Sequence, residues 1–486
     1  MSTFQRLFKQ TFIYGLATVL PRMLNFFLIP LYTSPGVLNS VAEYGKVSVI
    51  FAWFVIFNVI LAYGMETAFF RFFNKEKNQD EVIGTSTISL GISSFAFFGI
   101  ALLLQDQIAL LTDIKVEYIK LVIWILLLDA LVILPFAWLR ATEKSMTYAI
   151  IKIINVSISL GLNLFFLLWL PKLALNHTVF ESLYIENYQI NYIFIANVVA
   201  SGVTLLLLLS FYLKVKYQFN ADLWKRMMRY AFPVLIAGIA FSVNETFDRI
   251  LLGKLLPENI ADTQIGMYSA CYKLALFMTL FATAYRLGIE PFFFSHAKTE
   301  NPQKSYAKIL EFFVTIGSLI LLGVIVFADI LKVLIIRSEA YWEAMTIVPI
   351  ILLAYLFLGM YHNLSVWYKI TDRTKFGAYI SVFGAVVTLV LNFWLIPIIS
   401  YRGSAIATLA AYGSMVVLSY YFGRKYYPIP YNIKKISAYI FISVLFSILS
   451  FYFFRENYVV GIGLLLVYML IIYKFEKDEI LSLLKS

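Results

Sequence analysis

Residues 277–294 read FMTLFATAYRLGIEPFFF, a run apolar enough to lie in a membrane that nevertheless carries Arg286 and Glu290. A charge at the centre of a spanning helix costs about 2.5 to 3.5 kcal/mol on insertion scales, so such residues face a protein interior or a watery cavity and mark a pathway. Thr279, Thr283, Arg286 and Glu290 follow steps of four, three and four, which puts them on one helical face. The stretch reads as a membrane helix with one polar stripe, and the rest of the chain as scaffolding around stripes of this kind.

Composition agrees along the whole length. Hydrophobic residues make up 61% of the chain and charged ones 14%, with a mean hydropathy of +0.82, against roughly 25% charge in a soluble domain. A spanning helix needs about 20 apolar residues, and the pattern predicts fourteen, from a first near 11–32 to a last near 457–473. The fold class is therefore an all-α integral membrane protein with no segment able to form a separate soluble domain. No small-residue cleavage site follows the first apolar run, so that run is expected as a retained helix.

The net charge of +11 does not point to nucleic acid, because its distribution has another cause. Lysine and arginine gather in alternate short loops, twenty-five in one set against eight in the other. By the positive-inside rule this places both termini in the cytoplasm. A single cysteine, Cys271, excludes an internal disulfide framework, and His177, His296 and His362 are scattered without ligand spacing, so no metal site is expected. There is no GxxxxGK[ST] phosphate loop and no HExxH or Ser/His/Asp arrangement, so no catalytic residue and no cofactor are assigned.

The chain repeats itself. Leu139-Arg140-Ala141-Thr142-Glu143-Lys144, leading to Asn163, resembles Tyr368-Lys369-Ile370-Thr371-Asp372-Arg373, leading to Asn392. Thr142 to Thr371 and Asn163 to Asn392 share an offset of 229 residues. Ala62-Tyr63-Gly64 followed by Glu66 likewise matches Ala284-Tyr285-Arg286 followed by Glu290. Two six-helix lobes are thus expected in the same orientation, 1–222 and 223–428, the parallel-repeat type of transporter with its site between the lobes. A peripheral helix pair and tail, 429–486, lies outside the repeat.

Several polar side chains recur at helical spacing. Tyr14, Thr18, Arg22 and Asn25 share one face of the first span, which also holds Pro21 and Pro30. Ser242, Glu245 and Arg249 share a face of the seventh, with Asn244 and Asp248 on the neighbouring one. Lys273 extends the stripe of the eighth. Arg22 and Arg286 lie more than ten residues from the cytoplasmic loop charges, deep for snorkelling at about 1.5 Å per residue. Guanidinium keeps its charge when buried and meets phosphate oxygens as a bidentate fork, so a cavity lined this way suits an anionic ligand. Arg22, Asn25, Arg249, Lys273 and Arg286 are the candidate binding residues. Asp129, Glu245 and Asp248 are candidate coupling or ion-pair acids, and Glu66 and Glu290 candidate gate or helix-end residues.

Arg229-Tyr230-Ala231-Phe232-Pro233, continuing to Asn244-Glu245-Thr246-Phe247-Asp248-Arg249, resembles the seventh-helix signature of the polysaccharide transporter family. These are the oligosaccharide flippases of the multidrug/oligosaccharidyl-lipid/polysaccharide exporter superfamily. Ile265-Gly266-Met267-Tyr268-Ser269 and Leu391-Asn392-Phe393-Trp394-Leu395-Ile396-Pro397 are similar to further family patterns. The resemblance implies fourteen helices, a central cavity, and alternating access that carries a polyprenyl-pyrophosphate-linked oligosaccharide to the outer leaflet of a bacterial cytoplasmic membrane. It further implies cavity cations on helices one, seven and eight, and glycan polymerase or ligase proteins as partners beside the phospholipid bilayer. Two rivals belong to the same superfamily: a lipid II flippase, and a cation-coupled multidrug antiporter using Glu66, Asp129, Glu245 or Glu290. An integral-membrane sugar-transfer enzyme is a third.

Overall fold

The computed structural model describes residues 19–21, 23, 24, 26–296 and 301–484. Among the described residues there is no β-strand, and thirteen helices are long and apolar enough to cross a membrane. A short helix, α1 (Leu28–Tyr32), precedes them. The thirteen are α2 (Val41–Lys75), α3 (Gln79–Leu103), α4 (Val116–Ala141), α5 (Ser145–Ala174), α6 (Gln189–Lys214), α7 (Ala221–Leu255) and α8 (Glu258–Glu290). They continue as α9 (Pro302–Val326), α10 (Glu339–Ile370), α11 (Lys375–Ile399), α12 (Tyr401–Tyr426), α13 (Ile433–Phe453) and α14 (Tyr458–Lys477). Residues 11–18, 22 and 25 of the first expected span lie outside the described residues.

The helices begin and bend where local chemistry dictates. Asn220 starts α7 by accepting from the Asp222 and Leu223 backbone N–H groups at 2.9 Å, which satisfies two donors that lack helical partners. The α2 span breaks at Tyr63 and Gly64, with φ of 32° and 73°. Gly64 is required there twice over: its φ is left-handed, and a Cβ would lie 2.5 Å from the Ala231 carbonyl oxygen of α7. In α5 the backbone widens to a π-turn at Phe165–Trp169 just before Pro171, which cannot donate a helical hydrogen bond.

Contacts gather the chain into two compact units, Met1–Gly266 and Met267–Ser486, with the boundary inside α8. In the first unit α4 packs on α6, α5 on α6, and α7 on α2. One of its apolar clusters joins Met65, Phe69, Phe72 and Phe73 of α2 to Leu134 and Ala137 of α4 and Met227 and Ala231 of α7. Packing therefore groups α7 with the first unit, whereas the repeat counts it as the opening helix of the second half. In the second unit α10 packs on α9 and α12, and α11 on α12. Of the described spans α10 is the most buried and α14 the least. Tyr468 of α14 donates to Ser318 Oγ of α9 at 2.7 Å, and Ser443 of α13 donates to the Ser318 carbonyl at 2.6 Å.

The internal repeat is present in hydrogen-bond detail. Thr142 Oγ1 donates to the Trp138 carbonyl at 2.8 Å and Thr371 Oγ1 to the Trp367 carbonyl at 2.7 Å. Glu143 and Asp372 follow in left-handed conformation, with φ of 58° and 55°. The Lys144 and Arg373 amides then close both turns on Leu139 and Tyr368, each at 2.8 Å. Asn163 and Asn392 are both fully buried and donate to the carbonyl four residues back at 2.7 Å. Each Oδ1 then accepts a hydroxyl, from Tyr32 at 2.8 Å and from Ser404 at 2.7 Å. Apart from the two hydroxyl donors, Tyr32 and Ser404, every one of these matches lies at the 229-residue offset read from the sequence.

Candidate functional site: a cationic pocket in the second unit

The polar stripe of α8 meets α10 in a small open pocket lined by Arg286, Glu290, His362, Asn363 and Lys369. Thr279 lies further along the stripe and donates to its own helix, to the Leu276 carbonyl at 2.9 Å. Glu290 accepts from Lys369 Nζ in a charge-assisted hydrogen bond, and both side chains are about a third exposed. The Asn363 amide donates to the Gly359 carbonyl at 2.9 Å. Arg286 is half-buried, and no hydrogen bond or ion pair reaches its guanidinium among the described residues.

The repeat shows what is particular to this pocket. In the first unit Glu66 pairs with Arg140, the counterpart of Lys369 at the common offset. Around that pair, however, Gly64 stands for Arg286, Ile133 for His362 and Leu134 for Asn363. Ile133 and Leu134 belong to the apolar core there. The first unit thus has glycine and apolar side chains at these three positions, and the second has three polar groups there. His362, Asn363 and Lys369 were not singled out from the sequence as site residues. The offset held the signal, because it sets His362 against an isoleucine and Asn363 against a leucine.

The remaining candidates are distributed as follows. Arg249 and Asp248 form a buried pair at 2.9 Å, and Arg249 also donates to the Glu245 carbonyl at 3.0 Å, so this arginine is engaged within its own helix. Asp129 accepts from Ser201 Oγ at 2.7 Å, and the charge acting on it is Lys152 rather than an arginine. Lys152 lies over the Phe136 ring at 4.2 Å. Lys273 occupies a 3-10 turn, Lys273–Ala275, with its side chain exposed, and does not line the Arg286 pocket. Arg22 and Asn25, with Tyr14 and Thr18 of the same stripe, lie outside the described residues. No group of His, Cys, Asp or Glu among the described residues is arranged to hold a metal ion.

Solved structures share this architecture at low sequence identity. The lipid II flippase MurJ in an inward closed conformation is similar with a TM-score of 0.74, at 14% identity over 96% of this chain and 100% of that one. An inward-facing multidrug resistance MATE family transporter of the MOP superfamily gives 0.65, at 13% identity over 86% of this chain and 95% of that one. A MOP superfamily transporter from Pyrococcus furiosus, described as having a binding pocket of reverse polarity, gives 0.57 at 12% identity over 89% and 96%. No curated protein matches the chain by sequence. The fold is that of the MOP-superfamily transporters, a multi-pass helical membrane protein. The family described as Polysaccharide biosynthesis protein matches residues 7–285 and the MatE family residues 233–394, and the chain belongs to the polysaccharide biosynthesis family.

Proposed function

We propose that the protein is a flippase that carries a polyprenyl-pyrophosphate-linked oligosaccharide from the cytoplasmic to the outer leaflet of a bacterial inner membrane by alternating access. Both termini face the cytoplasm in this reading, and glycan polymerase or ligase proteins receive the cargo outside.

The observation that carries the reading is Arg286. Among the described residues Arg249 meets Asp248, Arg140 meets Glu66, Lys369 meets Glu290, and Lys152 lies beside Asp129. Arg286 makes no ion pair among the described residues; the carboxylate in its pocket, Glu290, is held by Lys369, and His362 stands beside them. A half-buried guanidinium that makes no ion pair of its own favours an anion supplied from outside, and pyrophosphate oxygens match its fork. Of the acids that a cation-coupled antiporter would use, Glu66 and Glu290 are held in ion pairs and Asp129 accepts from Ser201.

The test is translocation by purified protein in vesicles, with a fluorescent polyprenyl-pyrophosphate sugar scored by access to an impermeant quencher. Protein-dependent transfer that Arg286→Ala lowers at least ten-fold supports the reading. Transfer of organic cations in place of the lipid-linked sugar, or equal transfer by the variant, overturns it.

A further inference from the structure

The end of the first unit away from its lysine- and arginine-rich loops holds a second site that the transport reading does not use. A charged pocket is lined there by Lys46, Lys115, Lys254, Asp113 and Asp262, with Trp53 and Tyr118 beside them. An apolar slot runs between α2, α3 and α4, walled by Phe57, Phe97, Ala101, Ile119, Ile123 and Leu126. The two share Ile50, Trp53, Thr112 and Ile114 as lining, so they form one space, charged at the mouth and hydrocarbon within.

Charge and polarity narrow the occupant. Ordered water needs two to four polar partners, and the slot offers only the Thr112 hydroxyl at its mouth, so it takes hydrocarbon. In the pocket Lys46 and Asp262 already face each other at 3.6 Å. That leaves Lys254, which donates one bond to the Leu111 carbonyl at 2.9 Å, Lys115, loosely held 3.8 Å from Glu117, and Asp113. Asp113 makes no hydrogen bond or ion pair among the described residues. Two cations and one carboxylate match a head that carries both a phosphate and a protonated amine. A purely anionic head would leave Asp113 unmet, and a cationic one would leave both lysines.

The neighbourhood supplies such a molecule. The short helix Gln105–Thr112 borders both spaces, and Leu103, Leu104, Leu110 and Leu111 around it are exposed, Leu110 at 85%. Apolar side chains in that position suit the acyl boundary of a bilayer. We propose that the first unit binds one phospholipid of the ethanolamine class, its phosphate on Lys115 and Lys254, its ammonium on Asp113, and an acyl chain in the slot between α2, α3 and α4. The site is separate from the Arg286 pocket, and its test involves no transport.

The test uses the full chain, purified in detergent and titrated with phosphatidylethanolamine, phosphatidylglycerol or phosphatidylcholine while bound lipid is counted by native mass spectrometry. The expected result is one retained phosphatidylethanolamine, bound at least about ten-fold more tightly than either competitor. Lys115→Gln with Lys254→Gln should abolish that preference, Asp113→Asn should narrow the margin over phosphatidylglycerol, and Ala101→Phe should block retention by filling the slot. Soluble glycerophosphoethanolamine should bind far more weakly than the lipid. Equal retention of all three lipids would mean only a non-specific lipid coat, and a preference for phosphatidylglycerol or tight binding of the chain-free head would equally overturn the assignment. If Ala101→Phe fails to fold, the surface variants at 113, 115 and 254 decide the matter alone.

Discussion

Glu290 of α8 is held by Lys369 of α10, and the same bond, glutamate to cation, recurs between Glu66 and Arg140 at the repeat-equivalent positions. The side chains are about a third exposed, so each pair is expected to contribute on the order of 1 kcal/mol or less. Double-mutant cycles with Glu66→Gln and Arg140→Gln, and with Glu290→Gln and Lys369→Gln, should return similar coupling energies in thermal unfolding. Coupling in one pair and none in the other would remove the architectural equivalence.

Arg286→Ala should leave unfolding and membrane insertion close to wild type, because the side chain makes no hydrogen bond or ion pair among the described residues whose loss would cost stability. Transport should fall at least ten-fold, with Arg286→Lys retaining part, since ammonium keeps the charge without the bidentate fork. In cells, Arg286→Ala and Arg22→Ala should each abolish surface polysaccharide while the protein stays in the membrane. Normal polymer from both variants would end the binding assignment.

The Asp248–Arg249 pair predicts the opposite pattern. Removing one partner of a buried ion pair leaves an uncompensated charge and costs about 3 to 5 kcal/mol. Arg249→Ala should therefore deplete folded protein, and adding Asp248→Asn should restore much of it. Transport lost by Arg249→Ala at full protein abundance would instead make Arg249 a ligand residue.

Asp329 lies outside the spans, where Arg455 donates to it at 3.0 Å and Lys332 at 2.5 Å. Burial alone would raise its carboxyl, but those hydrogen bonds and charges prevail and hold it below its ordinary value of 3.8. A carboxyl depressed in the folded state contributes stability that is complete above the ordinary value and is lost as pH falls through the folded one. Hydrogen exchange in α13 and α14 should accordingly rise only below about pH 4. Arg455→Ala should raise that exchange already at neutral pH, and unchanged protection there would disconnect the cluster from the helix pair.

Asn163 and Asn392 each close a buried network, so replacement by alanine strands a hydroxyl and a carbonyl at a cost of about 1 to 3 kcal/mol. Comparable losses of unfolding temperature are expected from Asn163→Ala and Asn392→Ala, and a neutral effect at either would show that its network is not needed.

The sequence by itself determined the class of fold, the positions of thirteen spans among the described residues, and the repeat that sets Asn163 against Asn392. These follow from rules local to the chain: hydrocarbon thickness sets helix length, and a turn such as Thr142-Glu143-Lys144 carries its own hydrogen bonds. It also set Glu66 against Glu290 and Arg140 against Lys369, yet not the bonds that join them, because the partners are 74 and 79 residues apart. Only tertiary structure decided which charges the protein neutralises. Arg249 and Arg286 look alike in a hydropathy plot, but the first pairs with Asp248, while the second makes no ion pair among the described residues because Lys369 of α10 holds the Glu290 carboxylate of its pocket. Helical periodicity reports which face a side chain occupies. What stands opposite that face depends on how helices distant in sequence pack, and that separates a structural charge from one left for a ligand.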